Sequence, residues 1–135
     1  MAYDIVSAYL RKSASRLKSA QVLIDKKCYE EAVGAAYYAI FHAISALLAV
    51  KGLNYDSHKG TISNFNKTYV HTGLIGSISA RALSDLHNKR NECEYDPTVF
   101  TGEDGAREAL QLAQAAVQDI LDYCKANNIG VDNLR

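Results

Sequence analysis

Residues 30–52 read EEAVGAAYYAIFHAISALLAVKG, and from Ala32 to Val50 no side chain is formally charged. A run of this length could cross a membrane, for which about 20 apolar residues suffice. Its composition argues against that: it is rich in alanine rather than leucine, it contains Tyr37, Tyr38, His42 and Ser45, and no second hydrophobic segment accompanies it. A helix that is apolar on all sides is central, packed by other helices. Gly52 is a good residue to end it, because glycine adopts the left-handed backbone that closes helices, so a helix is predicted over 30–51. Gly34, Ala35, Ala39 and Ala43 would let neighbours approach closely, and part of this surface is open to a second subunit.

If this helix is central, the rest of the chain must supply its neighbours. Asp4 is placed to cap a first helix running to Lys26, with Val6, Leu10, Leu17, Ala20 and Ile24 on one stripe and Arg11, Lys12, Arg16 and Lys18 on the other face. Asp56 or Ser57 can cap a third, through TISNFNKTYVH to Gly73. A fourth starts near Leu74 with Ile75, Ile78, Leu83 (or Ala82) and Leu86 on its apolar stripe. Pro97 closes it, since the residue before proline is pushed out of the α region. Thr101 with Asp104 resembles a capping box opening a fifth helix, whose stripe is Ala106, Leu110, Ala113, Val117, Ile120 and Cys124. The single proline, eight glycines and scarcity of Val, Ile and Thr runs in 135 residues argue against a sheet-rich fold. The prediction is an all-α, up-and-down bundle of four to five helices that dimerises, one domain over 1–127 with a frayed tail at 128–135.

Fifteen basic and fifteen acidic residues cancel, so the overall charge calls for neither nucleic acid nor an anionic membrane. The charges are nevertheless segregated. Residues 1–27 carry six Lys or Arg against two Asp, residues 51–90 carry six against two, and residues 92–122 carry eight acids against Arg107 alone. That pattern permits a positive cleft with a complementary partner face, and equally suits solvated faces of mixed sign. Cys28, Cys93 and Cys124 are widely spaced without CxxC and read as reduced cytosolic thiols. The opening MAYDIVSAYLRKS has no basic region followed by an apolar one, so no export signal is predicted and a cytoplasmic protein is expected.

HExxH, GxGxxG and GxxxxGK[ST] are absent and His42, His58, His71 and His87 lie on separate segments, so neither a metal nor a cofactor is expected. His42 reads as a hydrogen-bonded core histidine. Tyr37 and Tyr38 are core aromatics with hydroxyls at the rim, or place one hydroxyl in a cleft. His58 and Lys59 open the third helix, where free amides and a basic side chain suit an anion. More pointed is RNECEY at 90–95. On a helix Arg90, Asn91 and Tyr95 fall within an arc of roughly 140° and can line one cleft. Arg90 can equally pair with Glu94 one turn on, an ordinary surface bridge.

Taken together, AAYYAIFHAISALL, the Gly52 stop, SHKGTISNF with TYVHTG, and RNECEYD resemble the HEPN family (higher eukaryotes and prokaryotes nucleotide-binding), in its small stand-alone branch UPF0332, over residues 4 to 125. The resemblance implies a helical bundle that pairs into a homodimer, the arginine motifs of both subunits converging on one cleft. Many members resemble metal-independent endoribonucleases with an arginine, a polar residue and, shortly after, a histidine; others are partners of a small nucleotidyltransferase in toxin–antitoxin pairs. Carried over, Arg90 is the arginine, Asn91 the polar residue, and Tyr95 stands where the histidine would be. Metal-free RNA cleavage needs a proton acceptor for the 2′-OH, a donor for the leaving 5′-oxygen and a cation on the phosphate. Arg90 would clamp the phosphate and Asn91 orient an oxygen. A phenol, with an ordinary pKa of about 10, donates a proton but is a poor base. His87, one turn before Arg90, offers an imidazole at a different offset. The resemblance therefore implies a protein that binds RNA or nucleotide phosphates through Arg90, with His58 and Lys59 at the helix opening and His87 as further phosphate-binding candidates, and that is either an endoribonuclease or a non-catalytic, neutralising partner of a nucleotidyltransferase.

Overall fold

The apolar run forms the central helix. The structure, a computed structural model, describes residues 2–54 and 56–129. Among them are α1 (Ala2–Asp25), α2 (Tyr29–Val50), α3 (His58–Phe65), α4 (Ile78–Tyr95) and α5 (Glu103–Ala126), with a π-helical turn at Asn66–Val70 continuing α3. No strand occurs among the described residues, so the fold is an all-α bundle.

Helix α2 packs against all four others. Its Ala36, Ala39, Ile40, Ala43, Ile44 and Leu47 meet Val6 and Leu10 of α1, Leu83 and Leu86 of α4, Val117, Ile120 and Cys124 of α5, and Phe65 and Tyr69. A second cluster joins Ala20 and Ile24 to Ala32, Ala35, Ala106 and Leu110. Each fully buried Leu or Ile contributes about 1.5–3 kcal/mol. By length and composition α2 could cross a membrane, yet 67% of its apolar window is buried inside the bundle; packing accounts for its hydrophobicity. Hydroxyls tie the helices together where alanines bring backbones close. Ser13 Oγ donates to the Ala39 carbonyl at 2.6 Å, Ser79 Oγ to that of Ala116 at 3.2 Å, and the Tyr69 hydroxyl to that of Leu47.

Several helix ends differ from the expectation. Asp4 lies inside α1 rather than capping it. Ser57, not Asp56, caps α3, accepting from the Gly60 amide at 2.9 Å. Helix α4 begins at Ile78 rather than near Leu74, because Gly73 turns the chain at a φ of +78° and a further turn intervenes. Ile75 is buried from that turn while Ile78 is 52% exposed, so the stripe of α4 is carried instead by Ala82, Leu83 and Leu86. Thr101 does not cap α5: the N-cap is Gly102 without a side-chain bond, and the Thr101 hydroxyl faces Cys93 Sγ at 3.0 Å.

The C-termini of α1, α2 and α5 follow one rule. After α2, Gly52 turns left-handed (φ 72°), and the Leu53 amide reaches back to the Leu48 carbonyl at 2.9 Å, the six-residue closure known as a Schellman motif. Lys27 (φ 64°) and Asn128 (φ 55°) do the same after α1 and α5, with Cys28 bonded to Leu23 at 2.7 Å and Ile129 to Cys124 at 2.8 Å. Ile129 packs on the core, so the tail expected to fray from 128 is docked there; residues 130–135 lie outside the described residues.

Candidate functional site

Helix α4 is apolar inward only as far as Leu86, and its second half brings His87, Arg90 and Asn91 to the rim of the bundle. Lys89 fastens this end, its Nζ donating to the Gly105 carbonyl at 3.1 Å. Past the helix, Asp96 accepts from the Thr98 amide at 2.9 Å, a turn that starts where Pro97 forbids further helix.

The guanidinium of Arg90 lies over two phenol rings, its Cζ 5.1 Å from the Tyr37 centroid and 5.2 Å from that of Tyr38. Its Nη1 donates to the Tyr38 hydroxyl at 3.4 Å and its Nε to Glu94 Oε1 at 3.3 Å. Arg90 therefore makes the helix-surface pair with Glu94 and also lines an open groove. Burial alone opposes its charge, but the Glu94 hydrogen bond leaves its pKa above the usual guanidinium value. With 22% of the side chain exposed, this cation is permanent, oriented and reachable.

Beside it, the imidazoles of His58 and His87 stack face to face, 3.7 Å between centroids and 9° between planes. Each is held by a neighbour. His58 Nδ1 lies 3.1 Å from the Tyr37 hydroxyl, and His87 Nε2 lies 3.1 Å from Asn91 Nδ2. Burial pushes the Tyr37 hydroxyl up to about 12, so it keeps its proton and can donate to His58, leaving the proton of the neutral ring on Nε2. Burial lowers the pKa of His58, and His87 and Arg90 lower it further. Burial and then Arg90 lower that of His87. At neutral pH the pair is therefore uncharged and able to accept a proton. Nδ1 of His87 is buried without a hydrogen-bond partner, a condition that costs about 1–3 kcal/mol.

The residues singled out from the sequence thus divide. Arg90, Asn91, His58 and His87 come together, with Tyr37 and Tyr38 as their platform. Lys59 stands exposed next to His58, outside the ring cluster. Tyr95, five residues past Arg90, is 80% exposed at the end of α4. His42 is not the hydrogen-bonded core histidine expected: neither ring nitrogen has a partner, and the ring lies near-parallel to Tyr9 and Tyr38, with centroids at 6.2 and 6.0 Å. Sequence reasoning missed Arg16, whose guanidinium lies 5.6 Å from the Tyr38 ring. Its place in the basic face of α1 was the available signal. An open groove of about 800 Å³ runs from Arg90 between α1, α2 and α4.

The profile of the HEPN domain matches residues 6–123. The chain belongs to the HEPN family. Among similar proteins, one from Methanocaldococcus jannaschii, named as a toxin candidate, is 35% identical over 99 residues, covering 73% of this chain and 74% of its own. A UPF0332 protein of Thermotoga maritima is 27% identical over 124 residues, 90% of this chain and 94% of its own. A second M. jannaschii protein, likewise named as a toxin candidate, is 24% identical over 120 residues, 89% and 82% of the two chains.

Proposed function

We propose that this HEPN protein is a cytoplasmic dimer that binds RNA phosphodiesters at Arg90 and cleaves them without a metal ion, as the toxin of a two-gene module whose other half is a nucleotidyltransferase. The observation that carries the reading is the Arg90 guanidinium, fixed by two phenol rings and Glu94 next to two uncharged imidazoles. The toxin-candidate names of two relatives support the module.

In this reading Arg90 clamps the scissile phosphate and stabilises the charge that grows on it in the transition state. Nε2 of His87, released from the Asn91 amide that holds it, takes the proton of the 2′-OH as its oxygen bonds to phosphorus. The bond to the 5′-oxygen breaks, and a proton from Tyr95 neutralises the leaving alkoxide, giving a 2′,3′-cyclic phosphate and a 5′-hydroxyl. Asn91 orients His87. Because Tyr95 projects from the helix end, it serves a cleft shared by two copies.

A second reading, a non-catalytic nucleotide-binding or neutralising subunit of the nucleotidyltransferase, is favoured by one feature: a phenol stands at the position of the family histidine. Labelled mixed-sequence RNA incubated in EDTA with wild type, Arg90→Ala and Tyr95→His separates the two. Cutting by wild type that Arg90→Ala reduces at least a hundredfold supports the ribonuclease. An inert wild type whose Tyr95→His variant cuts assigns the cleft to binding; three inert proteins favour the neutralising subunit. Light scattering at micromolar concentration is expected to give twice the mass of the chain, and a monomer would remove the shared cleft.

A further inference from the structure

Gly34 is an anomaly inside α2. Apart from proline, glycine is the weakest helix former, and such a residue usually marks a close approach by a neighbouring backbone. Here nothing approaches: outside its own stretch of helix no atom lies within 4 Å of the place its Cβ would occupy. The open space belongs to the groove that starts at Arg90, floored by Gly34 and Ala35. One wall carries Arg16 and Lys18. Arg16 is also tied to the Arg90 site directly, since both guanidinium groups lie over the single Tyr38 ring, at 5.6 and 5.2 Å.

We propose that this groove carries a single-stranded RNA segment past Arg90, with Arg16 binding a second phosphate of the same strand. The proposal rests on the phosphate reading of Arg90 and names the substrate as an oligonucleotide of at least two phosphates rather than a mononucleotide. Single strands are held by a basic track beside aromatic rings, and guanidinium is the side chain best matched to phosphate oxygens. Glu30, Glu31 and Glu94 also line the groove. Glu94 is occupied with Arg90. Glu30 and Glu31 repel phosphate and accept hydrogen bonds from base amino groups, which sets the backbone along Arg16 and Arg90 and the bases across the bare floor at Gly34.

The test measures binding of a labelled single-stranded RNA decamer whose 2′-hydroxyls are methylated, so that it cannot be cut, over a range of salt, and of the likewise methylated one-phosphate dinucleotide UpU. Arg16 is exposed, so Arg16→Gln keeps the fold. It is expected to weaken the decamer about tenfold, to reduce the slope of log affinity against log salt by about 0.7, and to leave UpU unchanged. Gly34→Met, which fills the floor, is expected to weaken the decamer while Gly34→Ala does not. If Arg90→Ala loses binding but Arg16→Gln and Gly34→Met leave affinity and slope intact, the extended groove is wrong and the Arg90 reading survives. If Arg90→Ala binds as wild type does, the phosphate reading falls and this proposal with it. If Gly34→Met turns a dimer into a monomer, the groove is occupied by a second copy and the proposal is overturned.

Discussion

His42 is a polar group the fold keeps at a cost. Its ring nitrogens are buried and unbonded, so protonation must supply a charge with neither water nor a protein acceptor. Burial, followed by the charges of Arg16 and Lys12, pushes its pKa down to about 4. In the unfolded chain it titrates near its ordinary value of about 6.5. Below that pH the unfolded state binds the proton that the folded state refuses, so stability is present above about 6.5 and drains away as pH falls toward 4. Discounted for the screening of a ring that is only half buried, on the order of 2 kcal/mol is at stake at this one residue. His42→Phe keeps the stacking and removes the titration; its urea midpoint is expected to gain more on wild type at pH 4.5 than near pH 7.5. Equal pH dependence in both proteins would refute the assignment. At this scale legibility is uneven. Arg90 and Asn91 could be picked out because their relation is a rotation along one helix. The stacking of His58 on His87, the bond from Tyr37 and the approach of Arg16 to Tyr38 arise between helices, and no spacing along a strand of sequence encodes them.

Helices α2 and α5 were legible almost to the residue, because their apolar positions recur at helical period over long runs. The short ones were not. Helix α4 was placed four residues early: Ile75 and Ile78 match the period, but the turn after Gly73 separates them and only Ile75 points inward. Thr101 has the chemistry of a cap, yet Cys93 engages its hydroxyl, a tertiary contact overriding a local preference. The end of α1 was placed at Lys26, one residue past the observed Asp25, although Lys27 occupies the left-handed position that Gly52 fills after α2. A non-glycine residue there is strained by roughly 1–2 kcal/mol, partly offset because glycine loses more entropy on folding. Lys27→Gly is therefore expected to stabilise by about 0.5–1 kcal/mol and raise Tm by a few degrees. Gly34→Ala should gain a similar amount, since its Cβ meets nothing and alanine is the better helix former by about 1 kcal/mol. A thermal melt of each checks both, and a lower Tm for Lys27→Gly would mean that the lysine side chain does more than tolerate its backbone.

For the molecule as a whole, the decisive feature is that one helix forms the core of the others. The all-α bundle follows from α2 being apolar around most of its circumference, and the site follows from where its first half, with Tyr37 and Tyr38, meets the polar end of α4. The same feature sets an order of events during synthesis. Helix α2 leaves the ribosome well before α5, which covers one of its faces. Until about residue 120 has emerged, a segment long and apolar enough to enter a bilayer has no permanent partner on that side. Partly made chains of this kind are the ones that aggregate or engage chaperones. A chain ending at Phe100 is expected to be insoluble, or to bind a hydrophobic dye strongly, while the full chain does neither; a soluble, dye-silent fragment would show that α1 and α4 suffice to cover the core helix. Helix α2 is thus exposed to its nascent environment until α5 has emerged, and α5 acts as the latch that ends that exposure.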